Sequence, residues 1–296
     1  METQTAKLPE FKGKPLIEIP EFIPQIGFLE GDFGKAFLNE YQGRAKADYP
    51  GNSVLGVLNY DSGVVKGSNP FAVVLANKIL RQNGLKTATQ ADLEKLLKIG
   101  GDLRGTYEDT GLVLRSEDDN DYSKNTPLAK GLAEQVRTRG IKFSPKNPIM
   151  IPLTELELEK ADNGYGLTFR LREDAQIYEV PILSNDGQFN SEDVDEKTGL
   201  PTKLGKGNRT LYTRNSGLSR LYLNDGLGLY SDGRNLGGSS DYGRVVVVSG
   251  EATSPKNLQD ELMEKINAQY KTQLDDLNFR RTEAEKAVRE IMNRKK

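Results

Sequence analysis

From residue 53 the chain alternates short apolar runs with turn signals. SVLGVLNYDSGVVKGS sets two such runs around Asp61-Ser62-Gly63 and predicts a β-hairpin. NPFAVVLANKILRQNG follows with helical spacing: Asn69 fits the N-cap, Pro70 the first helical position, and Gly84 the stop. After a joint of three residues, TATQADLEKLLKIGG predicts a second helix capped by Thr89. Leu93, Leu96 and Leu97 form its buried stripe, and Gly100-Gly101 ends it. TGLVLRS then reads as a strand and TPLAKGLAEQVRTRG as a third helix. PIMIPLTELELEK and YGLTFRLREDAQIYEVPIL read as further strands. Residues 184–208 are polar and glycine-bearing, which predicts a long exposed loop. Alternation returns over Arg209–Leu223, and the β-branched run of RVVVVSG predicts a buried strand at 244–250.

Both ends of the chain differ from this middle. Residues 1–50 are punctuated by Pro9, Pro15, Pro20 and Pro24, which favour extended backbone and predict an arm carrying one short helix in GKAFLNEYQGRAK. Residues 51–252 form the expected domain. Residues 253–296 predict one long helix, with Met263, Ile266, Tyr270, Leu274, Leu277, Ala284, Val288 and Ile291 mostly three or four apart. A seam over 255–294 suits a homo-oligomer or a partner helix, and equally a helix docked on its own domain.

Composition narrows the chemistry. The 296 residues carry 41 basic and 43 acidic side chains, a balance that gives no bulk attraction to nucleic acid or acidic membranes. There is no Cys, which removes disulfides, thiolate metal sites and cysteine nucleophiles. There is no His, which removes the commonest general base and metal ligand. No run approaches the ~20 apolar residues of a membrane span, and METQTAKLPEF lacks the order of a secretory signal. Cytoplasmic residence is expected, with export or display on a virion left to a partner. No cofactor is expected. The oxygen-rich runs Ser116–Asp121 and Ser191–Glu196 suit Ca²⁺ by ligand type alone, and neither has the spacing of an EF-hand; solvated acidic loops are the plainer reading.

The window 215–244, NSGLSRLYLNDGLGLYSDGRNLGGSSDYGR, is built from only seven residue types. Lys, Glu and Gln form about a fifth of the chain, so about six would fall here by proportion, and none does. Leu218, Leu221, Leu223, Leu227 and Leu229 recur at intervals of two to four, as an inner scaffold would. The outer positions are then Arg220, Tyr222, Asn224, Asp225, Tyr230, Ser231, Asp232, Arg234, Asn235, Ser239, Ser240, Asp241 and Tyr242. Tyr supplies contact area at low entropic cost, Ser and Asn adapt, and Arg and Asp add charged hydrogen bonds, as in an antibody paratope. An Asn codon whose two adenines are replaced freely keeps its final pyrimidine. Such codons can give Asn, Ser, Gly, Asp, Tyr, Arg and Leu among others, but never Lys, Glu, Gln, Met or Trp.

The window followed by GRVVVVSG resembles the variable region of proteins diversified by diversity-generating retroelements. In that family adenine-directed mutagenesis rewrites exposed positions near the end of a C-type-lectin-like domain. Upstream, NPFAVVLANKILRQNGLKTATQADLEKLLKIGG is similar to the paired helices of the formylglycine-generating-enzyme type of that fold, whose second helix typically begins LPTEAEWEKAARGG. Thr89, Ala91, Glu94 and Lys95 match that pattern, Asp92 is conservative, and Ala88 and Leu93 replace its Pro and Trp. GRVVVVSG is similar to the family's closing GFRVV strand, with Val245 at the strand core. RTLYTRNSGLSRLYL also resembles archaeal proteins, which implies an archaeal or archaeal-virus source.

The resemblance implies an α+β fold: a C-type-lectin-like domain with two helices packed on small antiparallel sheets, plus the long C-terminal helix. It also requires residues 209–223 and 244–250 to share one sheet. The expected function is non-enzymatic binding of a protein or surface ligand by the thirteen outer positions, since the enzymes of this fold use cysteines or histidines that this chain lacks. Two other classes compete. One is an assembly protein that uses the arm and terminal helix while the window is passive surface. The other is an unfamiliar carboxylate or metal-assisted hydrolase, for which no paired carboxylates are legible.

Overall fold

The structure, a computed structural model, describes residues 26–249 together with the short strand pair β1 (Glu10–Phe11) and β2 (Lys14–Pro15). The helix expected over 253–296 lies outside the described residues. Strand β3 (Ile26–Phe28) leads into α1 (Gly31–Asp48), then the hairpin β4 (Asn59–Asp61) and β5 (Val64–Lys66). Helix α2 (Pro70–Arg81), strand β6 (Leu85–Thr87) and helix α3 (Gln90–Lys98) follow. Next come β7 (Tyr107–Leu114), α4 (Thr126–Thr138), β8 (Ile149–Pro152), β9 (Leu156–Lys160), β10 (Leu167–Leu171), β11 (Tyr178–Glu179) and β12 (Gly187–Phe189). The chain then forms β13 (Arg209–Tyr212), β14 (Leu218–Leu223), β15 (Leu229–Gly233), β16 (Gly243–Arg244) and β17 (Val246–Ser249). The fold is α+β, with a curled sheet at its centre.

Local chemistry accounts for the helix starts. Asn69 accepts the Ala72 N–H at 2.8 Å, and Pro70 occupies the first turn. Thr89 and Asp92 form a reciprocal capping box, Oγ1 accepting from the Asp92 N–H and Asp92 accepting from the Thr89 N–H. The hairpin turns on Ser62-Gly63, both with positive φ (53° and 88°), the conformation that matches the twist of paired strands. Helix α2 is buried on nearly every side from Pro70 to Ala76, so its amphipathic pattern is wider than a single stripe. Phe71 stacks on Phe169 at 4.6 Å, joining α2 to β10.

The large sheet runs β11-β8-β7-β14-β15-β13-β12, with β16 also beside β7. Alternation gives it two faces. Leu112, Leu114 and Leu218 pack with α2 and α4 in one core, while Val113, Leu211, Leu221, Leu223 and Leu229 belong to a second core. Direct cross-strand pairs carry the first face outward: Arg220 lies opposite Leu112, Tyr222 opposite Asp109 and Tyr230, and Tyr230 beside Tyr212. The face that is covered over β7 and β8 therefore emerges over β14, β15 and β13.

Several expectations need correction. Helix α1 is longer than a short arm helix, and it buries Phe37, Leu38 and Tyr41 in the first core rather than lying on an extended segment. Ser53–Leu55 is a 3-10 turn, not the start of a strand, and the three-residue joint is strand β6. Residues 184–208 are not simply an exposed loop: Phe189, Val194 and Leu200 are buried and cap the second core. Leu227 is only half-buried, at a turn with φ 65°. The closing strand also departs from the one-sheet requirement. Gly243–Arg244 pair with Tyr107–Glu108, but Val246–Ser249 lie between β3 and β6 in a separate three-stranded sheet. β8 already holds that edge of β7 from Gly111 to Leu114, so the closing strand is diverted at Val245.

Leu229, fully buried beneath the outer face, tests the scaffold. Leu229→Ala should lower unfolding free energy by about 2–5 kcal/mol in urea titrations followed by circular dichroism.

Candidate functional site

A row of four tyrosines crosses the open face, one from each of β7, β14, β15 and β13. Ring centroids are 5.9 Å apart for Tyr107–Tyr222, 5.3 Å for Tyr222–Tyr230 and 4.7 Å for Tyr230–Tyr212. Burial pushes the Tyr222 phenol up to about 12, so it stays a neutral donor. Beside the row lies an open cleft of about 510 Å³ lined by Tyr107, Tyr222, Asp232, Arg234, Asn235 and Ser239, among others. Tyr242, 65% exposed, projects from the same loop.

Of the thirteen outer positions, the structure brings Tyr222, Tyr230, Asp232, Arg234, Ser239 and Ser240 together here, while Asp225 and Asp241 are exposed on adjoining turns. Others serve the frame. Ser231 is fully buried: it follows Tyr230, so strand alternation turns it inward beside Leu229, where its Oγ accepts from Arg115 at 2.7 Å. Asn224 accepts the N–H groups of Gly226 and Gly228 with its own Oδ1 and closes its turn. Asn235 does likewise toward the Gly237 N–H at 3.3 Å.

Arg220 is the largest correction. It lies on the outer face, yet only 8% of its surface is exposed. Its Nη2 donates to Asp109 Oδ2 at 3.0 Å and its Nε sits 2.7 Å from Oδ1. The guanidinium also rests 4.7 Å from the Tyr222 ring centre and 5.1 Å from that of Tyr107. Burial opposes its charge, but the Asp109 carboxylate more than compensates and holds its pKa above the ordinary value. Ser68 completes the arrangement by donating to Asp109 at 2.7 Å. Ser68, Tyr107, Asp109 and Tyr212 all lie outside the window. Tyr212 was legible, because RTLY alternates with Leu211 inward; the others have no signal in the window's composition.

The loop 234–243 is hung on the scaffold by its main chain. Asn125 donates to the Arg234 carbonyl at 2.8 Å, Asn69 to that of Gly237 at 3.2 Å, and Arg220 to that of Gly238 at 3.0 Å. The Tyr107 hydroxyl accepts the Ser240 N–H at 3.0 Å, the Tyr107 N–H donates to the Tyr242 carbonyl, and the Gly67 N–H donates to the Gly243 carbonyl. A Cβ at Gly243 would fall 2.6 Å from the Ser68 nitrogen, so the loop's return admits only glycine. Two side chains add to this: Leu236 is fully buried in the first core, and Ser239 accepts the Ser68 N–H at 2.9 Å.

Two further buried ion pairs brace the sheet from beneath. Arg209 and Glu94 meet in a bidentate pair at 2.6 and 2.7 Å, and Arg214 grips Asp119 at 2.5 and 2.9 Å. Asp119, Asp193 and Asp195 of the oxygen-rich runs are thus engaged by Arg214, Lys203 and the Thr198 turn respectively. Among the described residues no cluster of three or more candidate ligands is placed to hold a metal, and no helix is long and apolar enough to cross a membrane. No family model, curated protein or solved structure matches the chain.

Arg220→Ala should cost about 3–5 kcal/mol in chemical unfolding because it strands a buried carboxylate, whereas Tyr242→Ser should stay within about 0.5 kcal/mol. Glu108, buried at the junction of β7 and β16, gives a second test. Burial, reinforced by Asp109, raises its pKa from 4.5 to about 8 against the opposing Thr106 hydrogen bond and Arg244 charge. The folded state therefore holds a proton that the unfolded chain has released. Its contribution is complete below 4.5 and is lost as pH rises through about 8. Thermal melts across that range should show falling stability in the native chain and a flatter profile in Glu108→Gln.

Proposed function

We propose that this chain is a non-enzymatic binding protein whose tyrosine face and loop 234–243 form a diversified receptor surface. The suspension of the loop by main-chain atoms carries this reading. Side chains at Arg234, Asp241 and Tyr242 can change without releasing a single one of the contacts that hold their backbone. Along β14 and β15 the same separation is made by alternation: Leu221, Leu223, Leu229 and Ser231 face the second core, while Tyr222, Tyr230 and Asp232 face out.

The source of that diversity, on this proposal, is a retroelement acting on adenines of the window, which the seven-type composition supports. A C-type-lectin domain requires 209–223 and 244–250 in one sheet; the diversion of β17 into its own sheet removes that assignment and leaves the binding reading intact. The ligand is a protein or surface presented to this face.

A library randomised at Asp225, Tyr230, Asp232, Arg234, Asp241 and Tyr242 and displayed on cells provides the test. Most members should melt within a few degrees of the native chain, each change contributing within about 0.5 kcal/mol, and selection against ovalbumin should enrich binders. A library that largely unfolds, or that yields none, overturns the reading.

A further inference from the structure

The two ends of the tyrosine row differ in one respect. At the Tyr107–Tyr222 end, the rings already hold a guanidinium, that of Arg220, with the Asp109 carboxylate gripping it from the side. At the other end Tyr230 and Tyr212 meet at 4.7 Å and 42°, and Tyr212 is 41% exposed. No cationic side chain among the described residues lies over either of these rings. Asp232 stands beside Tyr230, two residues along β15 and on the same outward face. Asp225 and Asp232 both act electrostatically on Tyr230, and Asp186 acts on Asp232.

None of Asp186, Asp225 and Asp232 takes part in an ion pair among the described residues. The nearest cations are committed elsewhere. Arg214 is bonded to Asp119, and Arg115 donates to Ser219, Ser231 and the Leu183 carbonyl. Burial, with the neighbouring Asp186 charge, raises the pKa of Asp232 against the opposing charges of Arg115 and Arg214.

We propose that the Tyr212–Tyr230 end of the row receives an arginine side chain from a partner protein, with its plane against the rings and its N–H groups on Asp232. This rests on the reading of the face as a binding surface. Arginine fits better than lysine because its flat, weakly hydrated guanidinium stacks on an aromatic face while its edge still donates to carboxylates. The fold contains its own example of that arrangement in Arg220, Asp109, Tyr107 and Tyr222. A partner whose exposed arginine stands free of its own acidic residues is the kind this end selects.

The probe is the peptide acetyl-Gly-Arg-Gly-amide, titrated into the full chain beside its citrulline counterpart, which keeps the shape and removes the charge. The chain has 12 tyrosines and no tryptophan, so ring resonances report directly. The arginine peptide should saturate with shifts centred on Tyr212 and Tyr230 and bind at least about tenfold tighter than the citrulline peptide. The substitution D232N, exposed and isosteric, should weaken it at least about fivefold with an unchanged melt. Equal binding of the citrulline peptide, or undiminished binding to D232N, overturns the proposal. If that happens while the library still yields binders, only the arginine subsite is lost; failure of both removes the binding face itself.

Discussion

Arg220 and Asp109 form an ion pair almost without access to water, and the outer face depends on it. Taking both charges out of water costs several kcal/mol for each, which a single contact does not recover. The surroundings supply the remainder. Ser68 donates to the carboxylate, the Gly238 carbonyl accepts from the guanidinium, and two tyrosine rings cover its planes. The pair thereby connects three parts of the chain that are remote in sequence: the entrance to α2, strand β7 and the loop after β15. Loss of Arg220 removes the bond to the Gly238 carbonyl and the cation packed against two of the four rings.

A surface that varies, as we propose for this face, has a conflict to resolve, because a side chain that holds the fold cannot also be free. Geometry settles it. Strand alternation sorts β14 and β15 into inward and outward positions, and the loop is held by main-chain hydrogen bonds together with the fixed side chains of Leu236 and Ser239. The partners that grip the loop, Asn69, Asn125, Tyr107 and Gly67, all stand outside the window. Arg220 is the exception, a fixed part of the frame embedded among replaceable neighbours.

Much of this was legible in the sequence where the signal is local. Asn69 and Thr89 cap the helices that their residue types predict, Ser62-Gly63 makes the expected turn, and Leu221 and Leu223 lie inward as their spacing indicates. The reading failed where the deciding contact is distant. Arg220 looks like an exposed recognition residue until Asp109, over a hundred positions earlier, is brought beside it. Ser231 could have been placed by alternation alone, since it cannot share a face with Tyr230; reading the whole run Tyr230–Asp232 as outward ignored that constraint. The diversion of β17 was not legible, because it depends on β8 occupying the edge of β7, and β8 carries no marker of its partner.

The order of strands has one more consequence. β15, which bears Tyr230 and Asp232, does not follow β14 to the rim of the sheet; it is inserted between β14 and β13 and paired on both sides over Leu229 and Tyr230. A strand at the rim offers unpaired N–H and C=O groups to any passing chain, and a change of side chain there can convert it into a template for aggregation. Enclosed between two neighbours, β15 has no free rim at those residues. On the proposed reading, sequence change on this strand alters what the molecule recognises without laying bare a strand edge at those residues.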